Sequence, residues 1–211
     1  MRTIEKEIYI IRHGQTALNA QGIVQGKGID ASLNEFGRKQ AAAFYEAYKH
    51  VKFDVVYTSS LTRTKETAEA FIKAGIPHIA DSNLDEISWG EVEGNSGFTD
   101  NSEMFEELLG QWRGGNVYYK FEGGESPFDL QQRQLKFLER LKASSEKLIL
   151  IATHGRFIRA FMCTLLDRPL SDMEMFDHTN LCLYKVNLMS DGTFEIEQHN
   201  NQEHLTELMG L

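Results

Sequence analysis

The stretch Glu7-Ile8-Tyr9-Ile10-Ile11-Arg12-His13-Gly14 runs from a charged residue through an apolar segment into a histidine and a glycine. Leu148-Ile149-Leu150-Ile151-Ala152-Thr153-His154-Gly155 repeats the plan late in the chain. Short apolar runs of this kind read as strands buried on both faces, the habit of parallel sheets. Each histidine then stands at a strand's carboxyl end, and the glycine after it allows a tight turn and close backbone approach. One such pair reads equally well as an ordinary loop histidine. Two at equivalent positions point to one shared site.

Working outward, strand and helix patterns alternate. Residues 35–49 carry Phe36, Ala43, Phe44 and Ala47 at helical spacing behind Asn34 as N-cap. Residues 54–58 read as a strand, and 62–74 as a helix closed by Gly75 and Pro77. A short strand is expected at 78–80, the longest helix at 126–144, a strand at 148–152 and a buried helix at 157–166. Residues 181–188 and 193–198 read as a closing strand pair around Ser190-Asp191-Gly192. The fold class expected is α/β: a three-layer sandwich with a mostly parallel central sheet, helices on both faces and an inserted lid-like segment. One domain is expected over residues 1–211, and ligands in such sheets collect beyond the carboxyl ends of the strands.

Composition narrows the function classes. The chain has 31 acidic and 22 Lys+Arg residues, a formal net charge of -9. That balance argues against nucleic acid or an anionic membrane as the main partner, since both need basic faces. It says nothing about the charge of a single pocket. No apolar run approaches the roughly 20 residues of a membrane span. The run before Arg12 is too short for a secretory h-region, so no leader is expected. Cys163 and Cys182 lie in apolar stretches without paired spacing, so reduced thiols and a cytoplasmic location are expected.

Two arginines stand where cations are disfavoured. Arg63 falls in the first turn of the helix after the 54–58 strand, and Arg156 follows His154-Gly155. A helix amino terminus opposes a cation by roughly 0.3–1 kcal/mol. Such arginines make sense where an anion such as phosphate binds. The alternative is that they point into solvent, a reading that suits Arg156 better than Arg63. The acids of Leu84-Asp85-Glu86-Ile87-Ser88-Trp89-Gly90-Glu91-Val92-Glu93-Gly94 read alone as a solvated turn. Beside two histidines and two arginines, one of them becomes a proton donor candidate.

With these residues assembled, the sequence resembles the histidine phosphatase superfamily, in its phosphoglycerate mutase-like branch. The resemblance rests on Arg12-His13-Gly14-Gln15-Thr16 with Asn19, then Gln25-Gly26, Leu33 and Gly37. It continues through Ser60-Leu61-Thr62-Arg63 with Thr67-Ala68, then Leu84, Glu86, Gly90 and Glu93-Gly94. Gly124-Glu125-Ser126 with Arg133, Thr153-His154-Gly155, Asn180 and the 200–205 stretch complete it. Gln15, Ser32 and Thr64 depart from the residues common in relatives, and none of the three changes removes a catalytic group.

The resemblance implies a metal-independent phosphomonoesterase that acts through a phosphohistidine on a small phosphorylated metabolite. In that reading His13 is the nucleophile, Glu86 protonates the leaving oxygen, and Arg12, Arg63 and His154 complete the catalytic set. Asn19 and Gln25 add neutral donors, and Gly155 and Arg156 belong to the substrate-binding group. No cofactor and no metal ligand are expected. Arg12, Arg63 and His154 are expected to keep His13 neutral and nucleophilic. The same groups would stabilise charge on the transferring phosphoryl group. Cations near Glu86 oppose an acid role, so its proton is expected mainly in the substrate complex.

Residues 95–123 are the least family-like part, with Phe98, Phe105, Trp112, Tyr118, Tyr119 and Phe121 among several acids. They read either as a lid that sets specificity or as a helix with its aromatics packed on the core. The acids favour a monophosphate whose uncharged part meets the aromatics. Three other functions compete: a cofactor-dependent phosphoglycerate mutase, a noncatalytic phospholigand-binding module, and a metal hydrolase using His13, His154 and Glu86. The chain lacks the extended substrate segment of the mutases, which favours the phosphatase. The expected partner is a small-molecule phosphate ester, and pairing of the 193–198 strand with a second copy would give a homodimer.

Overall fold

The structure is a computed structural model that describes residues 2–99 and 102–210. Its strands are β1 (Ile4–Arg12), β2 (Val55–Thr58), β3 (His78–Ala80), β4 (Leu148–Thr153), β5 (Leu183–Met189) and β6 (Phe194–Asn201). They form one sheet in the order β3-β2-β4-β1-β5-β6. The pairs β3-β2, β2-β4 and β4-β1 are parallel, while β5 runs antiparallel to both neighbours. The expected strands are all present, with ends displaced by a few residues where the ladder continues past the apolar run.

The helices are α1 (Ala17–Ala20), α2 (Glu35–Tyr48), α3 (Thr62–Lys73), α4 (Glu103–Arg113), α5 (Pro127–Ala143), α6 (Gly155–Leu165) and α7 (Thr206–Met209). Side chains alternate across the central strands, so the core falls into two clusters. Ile8 and Ile10 of β1, with Ile149 and Ile151 of β4, face Phe137 of α5 and Phe157 and Phe161 of α6. Tyr9 and Ile11, with Leu150 and Ala152, face Phe44 of α2 and Phe71 of α3. Three layers follow from that alternation. α2 starts where Asn34 accepts from the Gly37 amide, and α5 starts at a Ser126–Asp129 capping box with Pro127 in its first turn.

Register sets the position of the two histidines. β1 and β4 pair in parallel from Glu7↔Leu148 to Arg12↔Thr153, and the His13 amide donates to the Thr153 carbonyl at 2.9 Å. His13 and His154 therefore leave adjacent strands side by side.

Residues 100 and 101 of the 95–123 segment lie outside the described residues. Around them, α4 turns Phe105, Leu108, Leu109 and Trp112 inward. Trp112 stacks on Trp89 with ring centres 5.9 Å apart, and its indole donates to the Tyr119 carbonyl at 2.8 Å. Phe98 is also buried, whereas Tyr118 is 64% exposed. Packing on the core thus accounts for Phe98, Phe105 and Trp112. Glu103, Glu106 and Glu107 face outward, because the helical period that buries Phe105 and Leu108 puts them on the opposite side. No helix among the described residues is long and apolar enough to cross a membrane.

Candidate active site

A cavity of about 80 Å³ opens beyond the carboxyl ends of β1 and β4. Arg12, His13, Asn19, Gln25 and Glu86 line it, as do Gly155, Arg156 and His178. Ile23, Val24, Trp89 and Phe105 supply its apolar wall. By the roughly 10–15 Å³ that one water needs, it holds about five to eight water-sized positions. A phosphoryl group and a short carbon body fit that scale.

The nucleophile candidate is held by backbone. Nδ1 of His13 lies 2.7 Å from the Gly14 carbonyl, which only accepts, so Nδ1 carries the proton and Nε2 keeps its lone pair. Burial, then Arg63, then Arg12 hold the His13 pKa well below the ordinary imidazole value. Burial leads, and the two arginines named from the sequence act in the same direction. His154 contributes no charge, since burial and Arg63 hold its own pKa well below 6.5. Gly14 is required by a neighbour, since a Cβ there would come 2.6 Å from the Gly37 carbonyl oxygen. A Cβ on Gly37 would in turn meet the Gln15 carbonyl oxygen at 2.1 Å.

Arg63 and His154 do not line the cavity. Both are fully buried behind His13, whose ring centre lies 5.2 Å from that of His154. Arg63 donates to the Ile29 carbonyl at 2.6 Å, the Gly26 carbonyl at 3.2 Å and His154 Nδ1 at 3.2 Å. Burial pushes its pKa down to about 10, so it remains a cation near neutral pH. The arginine therefore ties the 26–29 loop to the second histidine. The helix-terminus argument found the residue but not this arrangement.

Glu86 is fixed by three amides. Oε1 accepts from Phe157 at 2.9 Å and Ile87 at 3.0 Å, and Oε2 accepts from Arg156 at 3.0 Å. Two of these donors are in the first turn of α6, whose free N–H groups receive a carboxylate well. Arg133 holds the Glu86 turn by donating to the carbonyls of Asn83 and Glu86, each at 2.9 Å. The same guanidinium pairs with both oxygens of Glu125 at 3.1 Å. The Gly124-Glu125-Ser126 and Arg133 motif thus positions the acid rather than meeting a ligand.

Some expectations change in detail. Arg156 does not reach into solvent: it pairs with Glu174, which also pairs with Arg159 at 2.8 Å. Its guanidinium lies over the rings of Phe105 and Trp112, 5.7 and 5.5 Å from their centres. Gln25 spends one Nε2 hydrogen on Thr16 Oγ1 at 2.7 Å, and its side chain lines the cavity. Among the described residues of the 95–123 segment, Glu103, Glu106, Glu107 and Glu122 do not line the cavity. Asn19 lines the cavity, with its Oδ1 accepting from Thr16 and Asn180.

His178 carries no motif, and the one signal for it is its place two residues before Asn180. Arg12 donates to its carbonyl at 2.7 Å and approaches its Nδ1 at 3.3 Å. Gly155 passes beside this ring, where a Cβ would lie 3.0 Å from His178 Nδ1 and 3.2 Å from Arg12 Nε. Among the described residues, no group of three or more His, Cys, Asp or Glu side chains stands ready to hold a metal ion.

Comparison with known proteins places these elements in a family. The sequence pattern of the histidine phosphatase superfamily (branch 1) matches residues 8–202. The chain is 31% identical over 194 residues to the 2,3-bisphosphoglycerate-dependent phosphoglycerate mutase 2 of Gloeobacter violaceus, covering 89% of this chain and 88% of that one. It is 33% identical over 159 residues to the metal-independent phosphoserine phosphatase of Arabidopsis thaliana, covering 73% and 66%. Among solved structures, Bacillus stearothermophilus YhfR superposes with a TM-score of 0.81 at 26% identity, over 95% of this chain and 99% of that one. On a match that runs from the first core strand almost to the carboxyl terminus, the chain belongs to the histidine phosphatase superfamily, branch 1.

Proposed function

We infer that the protein hydrolyses small phosphate monoesters through a phosphohistidine. The observation that carries this reading is His13 itself, neutral, with Nδ1–H held by the Gly14 carbonyl and its Nε2 lone pair available at the cavity. Nε2 attacks phosphorus and forms a P–N bond as the ester P–O bond breaks. The departing oxygen takes its proton from Glu86. Water then attacks phosphorus and gives a proton to the Glu86 carboxylate, and the P–N bond breaks to release phosphate and restore the His13 lone pair. Arg12 in the cavity wall and Arg63 behind the ring stabilise negative charge on the transferring group without reorganisation. The name of the Arabidopsis relative supports hydrolysis rather than mutase chemistry. We place the protein in the cytoplasm, in keeping with Cys163 and Cys182, two buried thiols without a disulfide whose pKa burial pushes up to about 12.

Rapid quench with p-nitrophenyl phosphate tests this. An acid-labile phosphoenzyme is expected in the wild type and is lost in His13→Ala. Hydrolysis by His13→Ala at the wild-type rate overturns the mechanism.

A further inference from the structure

We propose that His178 is a substrate-contacting residue, and that its Nε2–H donates to an oxygen of the phosphoryl group beside Arg12. This deepens the phosphatase reading and rests on it. His178 lies outside every motif of the sequence, yet it lines the same cavity as His13 and Arg12. Its tautomer follows from its neighbour. Arg12 Nη1 stands 3.3 Å from the ring's Nδ1. A guanidinium only donates, so Nδ1 keeps its lone pair and the proton sits on Nε2. Burial first, then Arg12, Arg159 and Arg156, lower the ring's pKa well below 6.5 and keep it neutral. Nε2–H is therefore an uncharged donor, and among the described residues no acceptor for it is found.

Neither Glu86, which shares the cavity, nor Asp177, its chain neighbour, hydrogen-bonds the ring. Glu86 accepts from the amides of Ile87, Arg156 and Phe157. Asp177 is bonded through its carbonyl, which accepts from the Tyr184 hydroxyl at 2.5 Å. Gly155 fixes which edge of the ring faces the turn after β4. A Cβ there would lie 3.0 Å from Nδ1 and 3.1 Å from Cε1. Gly155 also lines the cavity, and Nε2 is the next ring atom after Cε1.

The donor is held against the nucleophile's strand before any ligand arrives. Arg12 donates to the His178 carbonyl at 2.7 Å, and the Leu181 amide donates to the Arg12 carbonyl at 3.2 Å. Asn180 Nδ2 donates to the His13 carbonyl at 3.0 Å. Residues 177–181 are thus laced to the end of β1, and His178 keeps its place relative to Arg12 and His13. A donor fixed in this way needs little reorganisation as charge develops on the equatorial oxygens of the transferring group.

The competing role for the side chain is to position Arg12 through Nδ1 without touching substrate. Two variants separate the roles. Glutamine puts an amide N–H near the Nε2 position and gives up the Nδ1 acceptor. Asparagine keeps an acceptor near Nδ1 and gives up the Nε2 donor. The test measures kcat and KM for p-nitrophenyl phosphate, with inhibition constants for inorganic phosphate and for orthovanadate, a mimic of the five-coordinate phosphorus. His178→Asn is expected to raise the vanadate constant by roughly ten- to a hundredfold, and the phosphate constant less. It should lower kcat more than it raises KM. His178→Gln recovers most of that loss. Equal losses in the two variants, a smaller loss in His178→Asn than in His178→Gln, or unchanged constants in His178→Leu overturns the proposal. The wild type decides even where a variant does not fold. With 15N-histidine label, the His178 Nε2–H resonance should move downfield as orthovanadate binds, and a resonance that stays in place overturns the proposal. Failure of the wild type to hydrolyse p-nitrophenyl phosphate or any other ester counts instead against the phosphatase reading.

Discussion

Arg63 donates from Nε to Nδ1 of His154 across 3.2 Å, and neither side chain has surface exposed to solvent. A guanidinium only donates, so Nδ1 must hold a lone pair and the proton must sit on Nε2. Nε2 lies 2.8 Å from Ser59 Oγ, which accepts that proton, and Ser59 Oγ lies 2.9 Å from Thr64 Oγ1. A protonated His154 would turn an N–H toward the Nε–H of Arg63. The second histidine is therefore locked neutral by its neighbours.

Replacing Arg63 breaks this arrangement at three acceptors. Arg63→Met leaves the Gly26 and Ile29 carbonyls and His154 Nδ1 without their donor. A loss of about 3–5 kcal/mol in unfolding free energy is expected, as for removal of one partner from a buried charged network. Urea denaturation measures it, and a loss under about 1 kcal/mol would contradict the assignment.

Acid should destabilise the fold through its buried histidines. His13, His154 and His178 all have folded pKa values well below 6.5, with burial as the first cause. Above about 6.5 these groups are neutral in both states and their stabilisation is complete. As pH falls below that value the unfolded chain takes up protons first, so stability falls until the folded values are reached. Each histidine contributes a slope of up to about 1.4 kcal/mol per pH unit. Denaturation midpoints at pH 7.5, 6.5 and 5.5 should be nearly flat across the first interval and drop across the second.

The same direction governs activity. With His13 held neutral, the acid limb of kcat/KM should lie well below pH 6.5. An acid limb at the ordinary imidazole pKa would show that His13 is not shielded as the geometry requires.

Glu86→Gln separates leaving groups. An alkyl phosphate needs a proton on its departing oxygen, and a loss of about 100-fold or more in kcat is expected. Hydrolysis of p-nitrophenyl phosphate, whose phenolate departs unaided, should fall far less. Equal losses on both esters would leave Glu86 as an anchor for the α6 amides and no acid.

Gly37→Ala tests the contact beneath the nucleophile. The new Cβ would stand 2.1 Å from the Gln15 carbonyl oxygen, so the backbone must shift. We expect about 1–3 kcal/mol of destabilisation, together with slower phosphoenzyme formation in rapid quench. Wild-type values in both would mean the two loops are not in contact.

Periodicity and strand ends pick out His13, His154 and the arginines at the strand ends, whereas Glu86, Asn19 and Gln25 are assigned through the family resemblance. The apolar runs before His13 and His154 dictate two adjacent buried strands because no other element hides such runs on both faces. Asn34, Ser126 and Pro127 mark helix starts through local hydrogen bonding and fixed φ, which need no tertiary partner. His178 was not legible in this way. It lies in an irregular loop after α6, and only the antiparallel return of β5 beside β1 brings it to Arg12.

The sequence by itself determined the α/β alternation, the two His-Gly strand ends and the residue types that the chemistry needs. These depend on spacing along the chain, and the side-chain periods of strand and helix translate spacing directly into faces. Tertiary structure alone decided which groups meet the cavity. It placed Arg63 and His154 behind His13, turned the acids of α4 outward, and set Arg156 against Phe105, Trp112 and Glu174. Burial and direction at a site come from contacts between distant segments, which no local pattern encodes.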